Sequence, residues 1–151
     1  MGKKINFRAS NDPYMFQVFK RFVHQTEKNE FYVDGICIEE NPGVIVDFQN
    51  IEHTYEIFHL FGNYWGGWNE TPTFEEMYNI TKRWEEEYEA EIIDIGNDSI
   101  DFRIGRELSE NEIDVLFDEI RGLNADANCR GRLEKLRTII KENKEFGIWW
   151  D

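Results

Sequence analysis

The sequence predicts an α+β fold: one domain over residues 1–151, with a mostly antiparallel sheet built from two hairpins and a C-terminal strand, packed with about five helices. Three observations carry that prediction. Helical and strand patterns follow one another in the order α-β-β-α-loop-α-β-β-α-α-β, without regular βαβ alternation. No linker or low-complexity segment divides the 151 residues, an ordinary length for one domain. Twelve Phe, six Tyr and five Trp supply the bulk for a sizeable core.

Residues 12–27 read as the first helix. Asp12 is a good N-cap, Pro13 suits the first helical position, and Met15, Phe19, Phe22 and Val23 share one face. Residues 31–38 turn to strand character through Phe31, Tyr32, Val33, Ile36 and Ile38. Glu40-Asn41-Pro42-Gly43 is a turn signal, and Val44–Phe48 forms the returning strand of a hairpin. Asn50 can cap a helix over 51–61, which Gly62 would end. Residues 62–69 are a glycine-aromatic loop without periodicity.

Thr73-Phe74-Glu75-Glu76 is a capping box opening a long helix, with Met77, Ile80, Thr81, Trp84 and Tyr88 as its buried stripe. Glu85, Glu86, Glu87 and Glu89 crowd its end, where the helix dipole is already negative. Ile92–Ile95 and Ile100–Ile104 form a second hairpin around Gly96-Asn97-Asp98. The second of these strands alternates strictly, so one face is wet. Ser109-Glu110-Asn111-Glu112 is another capping box, ahead of Ile113, Leu116, Phe117 and Ile120. A last helix spans 129–142, with Leu133, Leu136, Ile139 and Ile140 inward, and residues 146–150 close the chain as a strand.

Charge narrows the function. The net charge is −14, and residues 51–100 carry twelve acidic side chains against two basic ones, Lys82 and Arg83. Residues 1–50 have a balance of −1 and residues 101–151 of −3, so the negative field comes mostly from the middle third. Such a field repels nucleic acid and anionic membrane and attracts basic proteins. The one basic stretch, Arg130, Arg132, Lys135, Arg137 and Lys141, pairs with the acidic helix or solvates its own face. No apolar run approaches a membrane span, and the N-terminus lacks the apolar centre of a signal peptide. The expected setting is cytoplasmic, with Cys37 and Cys129 as free thiols.

Catalytic signatures are missing. His24, His53 and His59 have no zinc-site spacing and read as surface or rim residues. No nucleophile elbow, phosphate-binding glycine loop or CxxC pair occurs. No metal and no cofactor is expected. Tyr64, Trp65 and Trp68 lie among three glycines, which suits a binding surface as well as a core plug between tight turns. Trp149-Trp150 on a strand would point to opposite faces.

Gly66-Gly67-Trp68-Asn69, Pro72, Trp84 with Tyr88 and Ala90, Ile100-Asp101-Phe102 and the closing Trp149-Trp150-Asp151 together resemble a bacterial domain of unknown function, number 4253. The resemblance covers about residues 62–151. The chain has Glu89 where that pattern carries Gly, and Leu123-Asn124-Ala125-Asp126 in place of a Cys-Pro-Asp segment. The resemblance implies an α+β domain and no reaction. Small acidic bacterial proteins of this kind are often immunity proteins.

The function these readings favour is non-enzymatic: an acidic module, monomer or homodimer, that neutralises a basic toxin or nuclease and binds no nucleic acid itself. Tyr64, Trp65, Trp68, Asn69, Glu85, Glu86, Glu87, Glu89 and Asp151 are its candidate partner-binding residues. Two alternatives stand beside it. One is a phage-type nucleic-acid mimic that inhibits a host defence nuclease. The other is a small-ligand binder or hydrolase with a pocket lined by Trp68, Trp84 and Trp149.

Overall fold

The computed structural model describes residues 3–8, 32–37, 43–48, 51–61, 72–95, 99–123 and 132–149. Its strands are β1 (Lys3–Arg8), β2 (Tyr32–Cys37), β3 (Gly43–Phe48), β4 (Ala90–Ile95), β5 (Ser99–Ile104) and β6 (Glu145–Trp149). They make one six-stranded sheet in the order β2-β3-β1-β4-β5-β6. Its helices are α1 (Ile57–Phe61), α2 (Phe74–Tyr88), α3 (Glu110–Leu123) and α4 (Arg132–Asn143), with a 3-10 turn at Thr54–Glu56 before α1. The expectation of one domain mixing helices with a mostly antiparallel sheet therefore holds, with four α-helices among the described residues where about five were expected. The helix expected over 12–27 lies outside the described residues.

Both expected hairpins form. β2 pairs with β3, and β4 with β5, antiparallel in each case. β6 adds to β5, also antiparallel, with Phe102 opposite Phe146.

The first correction concerns the N-terminus, where no strand was expected. β1 holds the centre of the sheet. It pairs antiparallel with β3 from Lys3↔Phe48 to Arg8↔Gly43. On its other side it pairs parallel with β4, at Asn6↔Asp94 and Phe7↔Ile95. Only Ile5 and Phe7 interrupt its polar residues, too short an alternation to register as a strand. Tertiary pairing decides the matter, and Ile5 is fully buried.

The segment expected as one helix over 51–61 is the second correction. Its first part is a polar turn. The Glu56 carboxylate accepts the backbone N–H groups of Glu52 and His53, each at 2.9 Å, and the His53 carbonyl accepts from Glu56 N–H at 3.1 Å. This is the carboxylate half of a capping box with His53 at the N-cap. It satisfies N–H groups that no helical ladder reaches, so helical structure starts at Thr54, not at 51, and becomes regular α-helix at Ile57. Thr54 anchors the turn to the sheet by accepting from the Ile92 N–H at 3.0 Å.

α2 starts as its capping box predicts. The Thr73 hydroxyl accepts from Glu76 N–H at 3.1 Å, while Glu76 turns its carboxylate to the Thr73 hydroxyl. The stripe of Met77, Thr81, Trp84 and Tyr88 is buried, and the Thr81 hydroxyl donates to the Met77 carbonyl at 2.6 Å. Trp84 meets Phe102 and Phe146 edge-on at 5.4 and 5.3 Å, and those two rings stack 4.8 Å apart. Burial of rings this large dominates core energetics. α3 opens with a complete reciprocal box, Glu112 N–H to the Ser109 hydroxyl at 3.1 Å and Ser109 N–H to the Glu112 carboxylate at 3.0 Å.

One core cluster joins all of this. It runs from Ile5 and Phe48 through Ile57, Phe58, Trp84, Ile92, Ile100 and Phe102 to Leu116, Ile120, Leu136, Ile140 and Ile148. α4 carries a third correction: Ile139, expected inward, is 38% exposed. Leu136 and Ile140 take the inward face, four residues apart, and Ile139 sits a third of a turn away from Ile140.

Candidate functional site

The end of α2 and the strands after it enclose a cleft of about 390 Å³, lined by Glu85, Glu89, Glu91, Ile93, Arg103 and Gly105. Glu85 lies in the last turn of α2 and Glu89 just past its end, and both line the cleft. Glu89 follows the last helical residue in a left-handed conformation, φ 54°. Its N–H donates back to the Glu85 carbonyl at 2.9 Å, and its carbonyl accepts from Gly105 N–H at 2.9 Å. That second bond pins the helix end to the end of β5. The approach at 105 is close: a Cβ there would lie 3.1 Å from both the Glu89 carbonyl oxygen and its Cβ, so glycine fits without either having to give.

The sheet supplies the other wall. Glu91 and Arg103 are cross-strand partners on β4 and β5. A β-bulge between Ile92 and Asp94 shifts the alternation, so that Ile92 and Ile95, three apart, are both buried while Ile93 is only partly covered. An apolar run such as Ile92-Ile93-Asp94-Ile95 does not reveal which isoleucine faces out.

Electrostatics around the cleft are carboxylate-rich but not unopposed. Glu85 is the least exposed of its acids, at 17%, and its Oε1 lies 2.5 Å from Nδ1 of His53, which is 45% exposed. Its other oxygen is buried and makes no hydrogen bond among the described residues. Glu91 accepts from Lys3 Nζ at 2.8 Å, and this bond, aided by the charges of Glu91 and Glu85, holds the Lys3 amine above its usual range against the opposing effect of burial. Tyr55, stacked on His53 at 5.0 Å, has its phenol pushed up, first by burial and then by the charge of Glu85. Arg103 reaches Glu145 at 3.3 Å.

The predicted site residues divide. Glu85, Glu86, Glu87 and Glu89 do sit together at one end of α2. Glu86, Glu87 and Glu89 are exposed, whereas Glu85 is partly buried and held by His53. Glu87 pairs with Arg83 at 3.4 Å, one helical turn back. Tyr64, Trp65, Trp68, Asn69 and Asp151 lie outside the described residues. Sequence reasoning missed His53, Glu91 and Arg103. The opposite charges of Glu91 and Arg103, across a hairpin whose register the turn sets, were the available signal.

The misplaced acidity of the helix end has a local answer. Arg106, just beyond β5, donates from Nε to the Glu87 carbonyl at 3.2 Å, and a second of its nitrogens reaches the same oxygen. A guanidinium on the final carbonyls offsets the negative end of the dipole. The same fork holds Glu112 of α3, with one contact at 3.2 Å. That pairing with Arg106 drives the Glu112 carboxyl from its ordinary 4.5 to about 2, with the Ser109 N–H adding to the shift.

Two residues of the basic stretch pair with α3, while Arg130 and the side chain of Arg132 lie outside the described residues. Arg137 meets Asp114, and Lys141 meets Glu110 at 2.6 Å. Trp84, one of three expected pocket tryptophans, is fully buried in the core and is not among the residues lining this cleft. Trp68 and the side chain of Trp149 lie outside the described residues. Among the described residues no three metal-ligating side chains converge, and no helix is long and apolar enough to cross a membrane.

With this geometry in place, comparison with known proteins adds one finding. The family model "Domain of unknown function (DUF4253)" matches residues 48–151, more than half of the chain. The chain belongs to the DUF4253 family. The match starts at Phe48, the last residue of β3, and so takes in every element from the 3-10 turn to β6. The whole cleft falls inside it, whereas Lys3, the cation on Glu91, falls outside. No curated protein and no solved structure matches the chain.

Proposed function

We propose that this chain is a non-enzymatic binding module that captures a basic protein, a toxin or nuclease, at the end of α2. One observation carries the reading: Glu85, Glu86, Glu89 and Glu91 gather around the junction of α2 and β4, with Glu86 and Glu89 exposed and in no ion pair among the described residues. Carboxylates held this close repel one another, and a partner's Arg or Lys would relieve that repulsion. Ile93 offers the stem of such a side chain an apolar wall, while the carboxylates meet its charged head. The long-range field of a chain with net charge −14 would steer a cationic partner to it.

The test is a capture experiment with Glu86→Lys/Glu89→Lys as the comparison. These two are better probes than Glu85 and Glu87, whose reversal would also break contacts to His53 and Arg83. Immobilised wild-type protein should retain a basic protein that elutes at moderate salt. The double variant should bind that protein at least about 10-fold more slowly, because charge contributes mainly through association rate. Equal rates would remove this surface from the interface. Competition by DNA for the same partner would turn the reading towards the nucleic-acid mimic.

A further inference from the structure

We draw no further inference here: the strongest candidate, the cleft between the end of α2 and strands β4 and β5, is an acidic cluster that belongs to the site already described, and nothing in the structure independently identifies a further ligand for it.

Discussion

Glu89 occupies a backbone conformation that suits glycine, with φ 54° just beyond the last turn of α2. A side chain there crowds the adjoining carbonyl, whereas glycine ends helices in this way without that strain. Glu89→Gly should therefore stabilise the fold by about 0.5–1 kcal/mol, read from the urea midpoint. Under the proposed function the same change weakens capture of the basic partner. A loss of stability would mean that the carboxylate supports the fold more than its backbone strains it. Glu112 gives a second prediction at this scale. Its folded pKa, about 2, lies below the ordinary 4.5. Such a group contributes stability that is fully present above 4.5 and is lost as pH falls towards 2. Wild-type protein should lose stability across that window, and Glu112→Gln should lose less, in urea titrations at pH 5 and pH 2.5. Identical pH dependence would show that the Arg106 pairing does not persist in solution.

At the scale of elements, α2 ends on a chain of polar contacts that its sequence only half reveals. Thr73 and Ser109 announce helix starts because a cap is a local event, satisfied within three residues. The C-terminal cap of α2 is only partly local: Glu89 N–H returns to the Glu85 carbonyl, but Arg106 arrives from beyond β5, nineteen residues after Glu87. Arg106→Ala should thus lower Tm and reduce amide protection in the last turn of α2 and the first turn of α3 together, measured by hydrogen exchange. Loss confined to α3 would assign Arg106 to Glu112 alone. The same contrast explains what the sequence could convey. Helices with a cap and a clear apolar stripe, such as α2 and α3, were legible. The start of the 51–61 segment was not, because its N-cap is His53 and lacks the Ser, Thr, Asp or Asn signature, even though Glu56 closes back on Glu52 and His53 as a capping carboxylate does. The candidate site was legible only as a run of glutamates. Its other wall depends on the Glu91↔Arg103 register and on the bulge after Ile92, both set by strand pairing.

Across the whole molecule, the boundary of the family does not coincide with the boundary of the core. The DUF4253 match begins at Phe48, so β1, β2 and nearly all of β3 precede it. Without β1, the buried strand β4 would present an open edge in the middle of the sheet, a surface prone to pairing with other chains. β1 closes that edge through a parallel ladder, the Lys3–Glu91 ion pair and the burial of Ile5 in the same cluster as Trp84 and Phe102. The N-terminal strands and the family region should then unfold as one cooperative unit. Ile5→Ala tests this, since Ile5 is fully buried among family residues and yet lies outside the match. It should cost about 2–5 kcal/mol, the usual range for truncating a buried isoleucine. Tryptophan fluorescence, whose five residues, buried Trp84 among them, all lie within the family match, and far-UV circular dichroism should shift together to a lower urea midpoint. If the fluorescence transition instead kept its wild-type midpoint while the sheet signal split in two, β1–β3 would be an independently melting layer laid against the family core.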